Sequence, residues 1–303
     1  MAENGFGSIR YAVIDAFTDQ PFRGNPAAVC LLEEDKDTEW MQTVAAEFNL
    51  SETAFLRRRE NTHQNGNALD NDAEEFELRW FTPVTEVDLC GHATLASAHF
   101  LFSSSLVNCN LVLFHTRSGA LTALKIEGFN KEGKSFGSKT ERFAIELNFP
   151  QSSVFDCDSS DVPLLSNSLK GLEVQSIKKT TSNDLLIELA SGEQVESLQP
   201  QFDEIQKLSG RGVIVTGLAP QQSGFDFYSR FFCPQFGINE DPVCGSAHCA
   251  LGPYWATKLG KTHLVAYQAS KRGGKLVLQV VEDGKRILLQ GEAVNVMSGM
   301  LTA

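Results

Sequence analysis

Apolar and polar positions alternate between two periods along this chain. Ile9 to Phe17 is dense in apolar and β-forming side chains and predicts a strand. Gly24-Asn25-Pro26 marks a turn, and Ala28-Val29-Cys30-Leu31-Leu32 predicts a second strand. From Asp37 to Phe48 the period lengthens, so that Trp40, Met41, Val44, Ala45 and Phe48 share one face of a helix. Ser51 to Leu56 predicts a strand, residues 59–75 read as a polar surface loop, and Phe76 to Phe81 predicts a strand again. Cys90 to Phe102 predicts a helix of small residues, followed by strands near 111–115, 119–127 and 141–149. Pro150 and the polar stretch Gln151 to Asp161 mark a boundary. Beyond it the pattern predicts a strand at 184–190, a helix at 201–209, strands at 212–217 and 225–232, and a helix at 244–259. The last forty residues are strand-like with glycine punctuation. Strands outnumber helices, so the class is α+β, with lobes expected at 1–150 and 151–303.

An internal repeat sharpens this picture. Arg79-Trp80-Phe81-Thr82-Pro83 recurs as Arg230-Phe231-Phe232-Cys233-Pro234. Shortly after each, Cys90-Gly91-His92-Ala93-Thr94-Leu95-Ala96 recurs as Cys244-Gly245-Ser246-Ala247-His248-Cys249-Ala250. Both copies run strand, proline-containing loop, then Cys-Gly opening a helix, which predicts two similar, pseudo-symmetric lobes. A helix start offers unpaired N–H groups and the positive end of the dipole, and so binds carboxylate or phosphate. Two such starts facing a shared cleft would clamp a small anion and flank one of its carbons. The plainer alternative is a duplicated fold in which the Cys-Gly steps only allow close packing.

The chain is 303 residues long with a net charge of −12, which excludes a phosphate-neutralising face for nucleic acid and disfavours an anionic membrane surface. The first residues carry no basic stretch followed by an apolar run, and no apolar run is long enough to span a bilayer. Seven scattered cysteines without an export signal read as free thiols of a cytoplasmic protein.

Several residues could carry chemistry. Glu52 lies between a helix end and an apolar strand, where a carboxyl can serve as base and then acid. His92 could polarise a carbonyl or carry a proton, Asp241 could hold an amino group or orient a base, and Ser246 could donate to a carboxylate. Cys90 and Cys244 at matched helix starts could act as a pair of thiols on opposite faces of a carbon. Each also has a structural alternative as a cap, a solvated charge or a packing residue.

Asp15-Ala16-Phe17-Thr18, Phe22-Arg23-Gly24-Asn25-Pro26-Ala27-Ala28-Val29, Ser51-Glu52-Thr53-Ala54-Phe55, Arg79-Trp80-Phe81-Thr82-Pro83, Cys90-Gly91-His92-Ala93 and Glu240-Asp241-Pro242-Val243-Cys244-Gly245-Ser246-Ala247 together resemble the phenazine-biosynthesis-like (PhzF-like) family. The likeness spans nearly the whole chain in order. It implies the diaminopimelate-epimerase fold, two similar lobes each with a sheet wrapped on a central helix. It implies a cofactor-free, metal-free isomerase in which Glu52 is the acid/base, helped by His92, Asp241 and Ser246. Asn25, Gly91, Gly245, Cys90 and Cys244 are then the expected substrate-binding residues, and the ligand is a small carboxylate-bearing molecule in the interlobe cleft. The chain resembles the related epimerases and proline racemases at Cys90 and Cys244, where those carry two catalytic thiols. A two-thiol racemase and a non-catalytic binding protein on the same fold therefore stand as alternatives, and a homodimer is an open expectation.

Three other patterns lead nowhere. Gly128 to Ser135 matches a phosphate-loop spacing but precedes strand instead of helix. Cys244, His248 and Cys249 lack a Cys-x-x-Cys partner for zinc. Gly210-Arg211-Gly212 precedes a strand and is no dinucleotide turn.

Overall fold

The computed structural model describes residues 8–59, 73–128, 142–157, 172–281 and 285–302. Most of the 59–75 loop and of the phosphate-loop-like segment 128–135, and the end of the 151–161 stretch, lie outside the described residues. The chain divides into two units, Met1–Leu147 with Gly291–Ala303, and Asn148–Gln290.

In the first unit β1 (Ile9–Ala16) pairs antiparallel with β2 (Asn25–Leu32), and β2 pairs parallel with β3 (Glu52–Arg58). β3 is antiparallel to β4 (Glu74–Phe81), β4 is parallel to β6 (Leu111–Thr116), and β6 is antiparallel to β7 (Gly119–Glu127). Parallel neighbours need a crossover. The β2–β3 crossover holds α1 (Thr38–Phe48), and the β4–β6 crossover holds β5 (Glu86–Val87) and α2 (Gly91–Ser103). β8 (Phe143–Pro150) leads out of this unit.

The second unit repeats the order. After β9 (Val154–Asp156), β10 (Val174–Thr180) is antiparallel to β11 (Asp184–Leu189), and β11 is parallel to β12 (Gly212–Leu218). β12 is antiparallel to β13 (Phe227–Cys233), β13 is parallel to β15 (His263–Gln268), and β15 is antiparallel to β16 (Gly274–Val280). The first crossover holds two short helices, α3 (Gly192–Ser197) and α4 (Phe202–Ile205). The second holds β14 (Ile238–Asp241) and α5 (Gly245–Leu259). β17 (Arg286–Gly291) then leads to β18 (Ala293–Leu301).

The Arg-aromatic-Phe repeat has a visible cause. Arg79 donates from Nε and Nη2 to the two carboxylate oxygens of Glu86, both at 2.8 Å, and lies 5.1 Å over the Phe81 ring. Arg230 does the same with Glu240 at 2.7 and 2.9 Å and lies 5.0 Å over Phe232. Each glutamate stands four residues before the cysteine that opens the central helix. A bidentate fork fixes direction as well as distance, so the pair holds the chain in register as it enters that helix.

Both central helices are buried at their starts. Every residue of α2 from Gly91 to Phe102 is buried, and its buried hydroxyls are satisfied within the helix, Thr94 donating to the Cys90 carbonyl and Ser97 to the Ala93 carbonyl. In α5 Gly245 and Ala247 to Gly252 are buried, while Thr257 and Lys258 reach the surface. A Cβ on Gly252 would meet Ile287 Cδ1 at 2.3 Å, so the glycine leaves room for the tip of this buried β17 side chain. α1 is capped conventionally, Asp37 accepting from the Trp40 amide at 2.8 Å. Cys90 and Cys244 stand at the N-cap positions of α2 and α5 without a side-chain cap, so the first amides of both helices receive no acceptor from the cap residue.

Two expectations are corrected. The lobe expected at 151–303 ends earlier: β18 pairs with β1 from Ile9↔Leu301 to Ala16↔Ala293, which carries Gly291–Ala303 into the first unit. The helix expected at 201–209 is one turn, Phe202–Ile205, because the chain then tightens to i→i+3 bonds, Lys207 N–H to the Glu204 carbonyl and Leu208 N–H to the Ile205 carbonyl. Among the described residues no helix is long and apolar enough to cross a membrane.

Candidate active site

In the first unit the start of β3 meets the start of α2. Ser51 precedes Glu52, the first residue of β3, and Glu52 aligns with Ala27 on β2. The Ser51 hydroxyl lies 3.0 Å from Asn25 Oδ1, 3.0 Å from the Pro26 carbonyl and 3.3 Å from His92 Nε2. His92 Nδ1 lies 3.3 Å from Cys90 Sγ. Asn25, Glu52, His92 and Cys90 are all buried. Burial lowers the His92 pKa to about 3, so the ring is uncharged at neutral pH. With the Ser51 proton given to Asn25 or Pro26, His92 donates from Nε2 and its bare Nδ1 accepts the Cys90 thiol proton. The histidine is thus a neutral ring fixed at both nitrogens.

The second unit builds the matching corner with different chemistry. Arg211 precedes β12 as Ser51 precedes β3. It donates from Nε and Nη2 to the buried Asp184 carboxylate at 2.8 and 2.6 Å, and from Nη2 to Ser246 Oγ at 3.0 Å. Ser246 Oγ lies 3.3 Å from Cys244 Sγ, as His92 lies 3.3 Å from Cys90. Burial opposes the Arg211 charge, but the hydrogen-bonded Asp184 outweighs it and holds Arg211 protonated.

Gln268 locks the segment between Asp241 and Cys244. This fully buried amide accepts from the Cys244 N–H at 2.9 Å and donates to the Asp241 carbonyl at 2.6 Å. His248 donates from Nδ1 to the Cys244 carbonyl at 2.7 Å, and its Nε2 lies 3.3 Å from the Ser229 hydroxyl. Both nitrogens of His248 are thereby committed, and among the described residues no group of three acidic, histidine or cysteine side chains could hold a metal ion. Burial first, and the Asp241 carboxylate second, push the Cys244 thiol far above its ordinary pKa. The usual lowering at a helix start is overridden there.

The structure therefore brings Asn25, Cys90 and His92 together in one unit, with Gly91 opening α2, and Asp241, Cys244 and Ser246 together in the other, with Gly245 opening α5. Glu52 is the buried residue next to Ser51. Sequence reasoning missed Ser51, Arg211 and Gln268. Ser51 stood inside the Ser-Glu-Thr motif, and Arg211 inside a Gly-Arg-Gly run read only for nucleotides; Gln268 carried no signal.

Comparison with known proteins identifies the family and the fold. Residues 14–299 match the family described as phenazine biosynthesis-like protein. An uncharacterized isomerase of Halalkalibacterium halodurans is 44% identical over 296 residues, covering 95% of this chain and 97% of that protein. The human phenazine biosynthesis-like domain-containing protein is 40% identical, covering 96% and 98%. The crystal structure of a phenazine biosynthesis protein of the PhzF family from Enterococcus faecalis superposes with a TM-score of 0.80 at 37% identity, covering 97% and 99%. A hydroxyproline epimerase from Agrobacterium vitis shares the fold at 10% identity and a TM-score of 0.59. Paired Cys-Gly helix starts, repeated topology and matches along nearly the whole length lead to one conclusion: this chain belongs to the phenazine-biosynthesis-like family, on the diaminopimelate-epimerase-like fold.

Proposed function

We propose that this protein is an isomerase that moves a proton on a small carboxylate-bearing molecule without a cofactor, with Glu52 as the acid/base. The observation that carries the reading is the neutral, doubly anchored His92 beside the buried Ser51-Glu52 step. A neutral imidazole does not compete for the proton that Glu52 removes and returns, and its two anchored nitrogens hold the Ser51-Glu52 step in place. Asp241 and Ser246, with the helix-start amides at Gly245, offer partners for a substrate's polar groups. Relatives at about this level of identity are named isomerases, which supports the reaction class.

A two-thiol racemase is the second reading, favoured by Cys90 and Cys244 at matched N-cap positions. The raised pKa of Cys244 weighs against it, because a thiol that resists ionisation is a poor base. The test is solvent-deuterium uptake by a panel of small carboxylic and amino acids, followed by NMR. The reading expects enzyme-dependent exchange at one carbon of at least one carboxylate, and no exchange across the panel would contradict it.

A further inference from the structure

The two helix starts are alike in backbone and unlike in charge. At α2 the residue preceding the strand is Ser51 and its partner is a neutral histidine. At α5 the corresponding residue is Arg211, and its partner is Ser246. The guanidinium is held on three sides: Asp184 takes Nε and Nη2, Ser246 takes Nη2 again, and Phe231 lies 5.3 Å beneath its plane. The Nη1 donors have no partner among the described residues, and the side chain is 32% exposed although Asp184 is 1% exposed. An arginine needed only to neutralise Asp184 would have no reason to stack on Phe231 and to touch Ser246. Its order is already established in the folded protein, so little rotamer freedom is lost when an anion binds.

We infer that Arg211 is the residue that reads the substrate carboxylate, acting with Ser246 and the first amides of α5. The anion then docks at the helix start of the second unit, beside Arg211 and Ser246. This rests on the isomerase reading above, but it concerns binding and is tested without turnover. The Nε–Nη2 fork is spent on Asp184, so the substrate carboxylate meets the two hydrogens of Nη1, charge-assisted donors from one nitrogen, beside the Ser246 hydroxyl. The sequence signal was the Gly-Arg-Gly run that precedes β12.

The experiment titrates benzoate, with benzamide as the uncharged control, into the 15N-labelled full chain and follows the Gly245, Ser246, Gly91 and His92 amides. Removing Arg211 alone would strand the buried Asp184, so the main variant is Asp184→Asn with Arg211→Gln, which keeps an amide pair in place of the ion pair. Arg211→Lys, which keeps the charge and loses the fork, is the second variant. Benzoate, and not benzamide, should shift Gly245 and Ser246 in the wild type. Both variants should weaken benzoate by about tenfold or more. Unchanged affinity in a folded variant, shifts confined to Gly91 and His92, or no saturable shift at all would overturn the proposal. Benzoate binding that follows Arg211 in a protein without deuterium exchange would leave this site standing and defeat the isomerase. Exchange with full benzoate affinity in the variants would do the reverse.

Discussion

The Ser51 hydroxyl lies 3.3 Å from His92 Nε2, and Cys90 Sγ lies 3.3 Å from the opposite nitrogen of the same ring. One neutral histidine thus links the residue before Glu52 to the residue that opens α2. Burial keeps it neutral, and the same holds for two more histidines on the central helices.

His92, His99 and His248 have pKa values lowered by burial to about 3, 4 and 4 from an ordinary 6.5. The unfolded chain takes up these protons first, so stability is full above pH 6.5 and falls as pH drops toward 4. Each histidine contributes a slope of about 1.4 kcal/mol per pH unit, about 4 for all three. Urea unfolding from pH 7 to 4.5 should show this steep loss, and His99→Phe should reduce the slope by about one third. A slope unchanged by His99→Phe would contradict a neutral, buried His99.

Gln268→Leu should destabilise the protein by about 2–4 kcal/mol, because it strands a buried amide and a carbonyl at once. Gln268→Glu keeps the acceptor for Cys244 N–H and removes the donor to the Asp241 carbonyl. Ionised, it would face that carbonyl as an unpaired buried charge, so at neutral pH it should cost at least as much as Gln268→Leu. Urea midpoints check the order, and a neutral Gln268→Leu would show that the clamp is not structural.

The repeated Arg–Glu pairs should differ in cost. Arg230 and Glu240 have side chains 10% and 17% exposed, and Arg230 also donates to the Leu198 carbonyl at 2.6 Å. Arg79 is 31% exposed. Arg230→Met should therefore cost about 3–5 kcal/mol, as for a buried pair broken on one side, and Arg79→Met about 1–2. Equal losses in thermal or urea unfolding would contradict this ranking.

Much of this organisation was legible because the motif repeats. Cys90-Gly91 and Cys244-Gly245 do open helices, and Arg79 and Arg230 do share one role. β10 was not legible: Val174 to Thr180 is half-exposed and polar, with no apolar alternation to mark a strand. The return of β18 to β1 pairs residues almost a whole chain apart, which no local pattern encodes. Arg211 was visible only as a basic residue between glycines. Its meaning depends on Asp184 and Ser246, which the fold brings to it from other elements.

None of the seven cysteines forms a disulfide, and their reactivity should follow burial. Burial pushes Cys30 and Cys249 up to about 12, and Cys244 is also raised well above its ordinary value. In native protein at pH 8 a charged disulfide reagent should label the half-buried Cys109 and Cys157 first, and label Cys30, Cys244 and Cys249 only on unfolding. Mass spectrometry of the labelled peptides checks this, and rapid labelling of native Cys244 would revive the two-thiol reading.

The central claim is that Glu52 carries the proton. Once the deuterium screen has supplied an exchanging carboxylate, its exchange rate should be compared in wild type, Glu52→Gln and the Cys90→Ala/Cys244→Ala double variant. An amide keeps the shape of Glu52 and cannot shuttle a proton, so exchange should fall by about a hundredfold to ten-thousandfold in Glu52→Gln. The double cysteine variant should lose less than about tenfold, the cost of altered packing and substrate contact at the two helix starts. If instead the double variant is dead and Glu52→Gln still exchanges deuterium at the wild-type rate, the thiols move the proton and the glutamate mechanism is wrong.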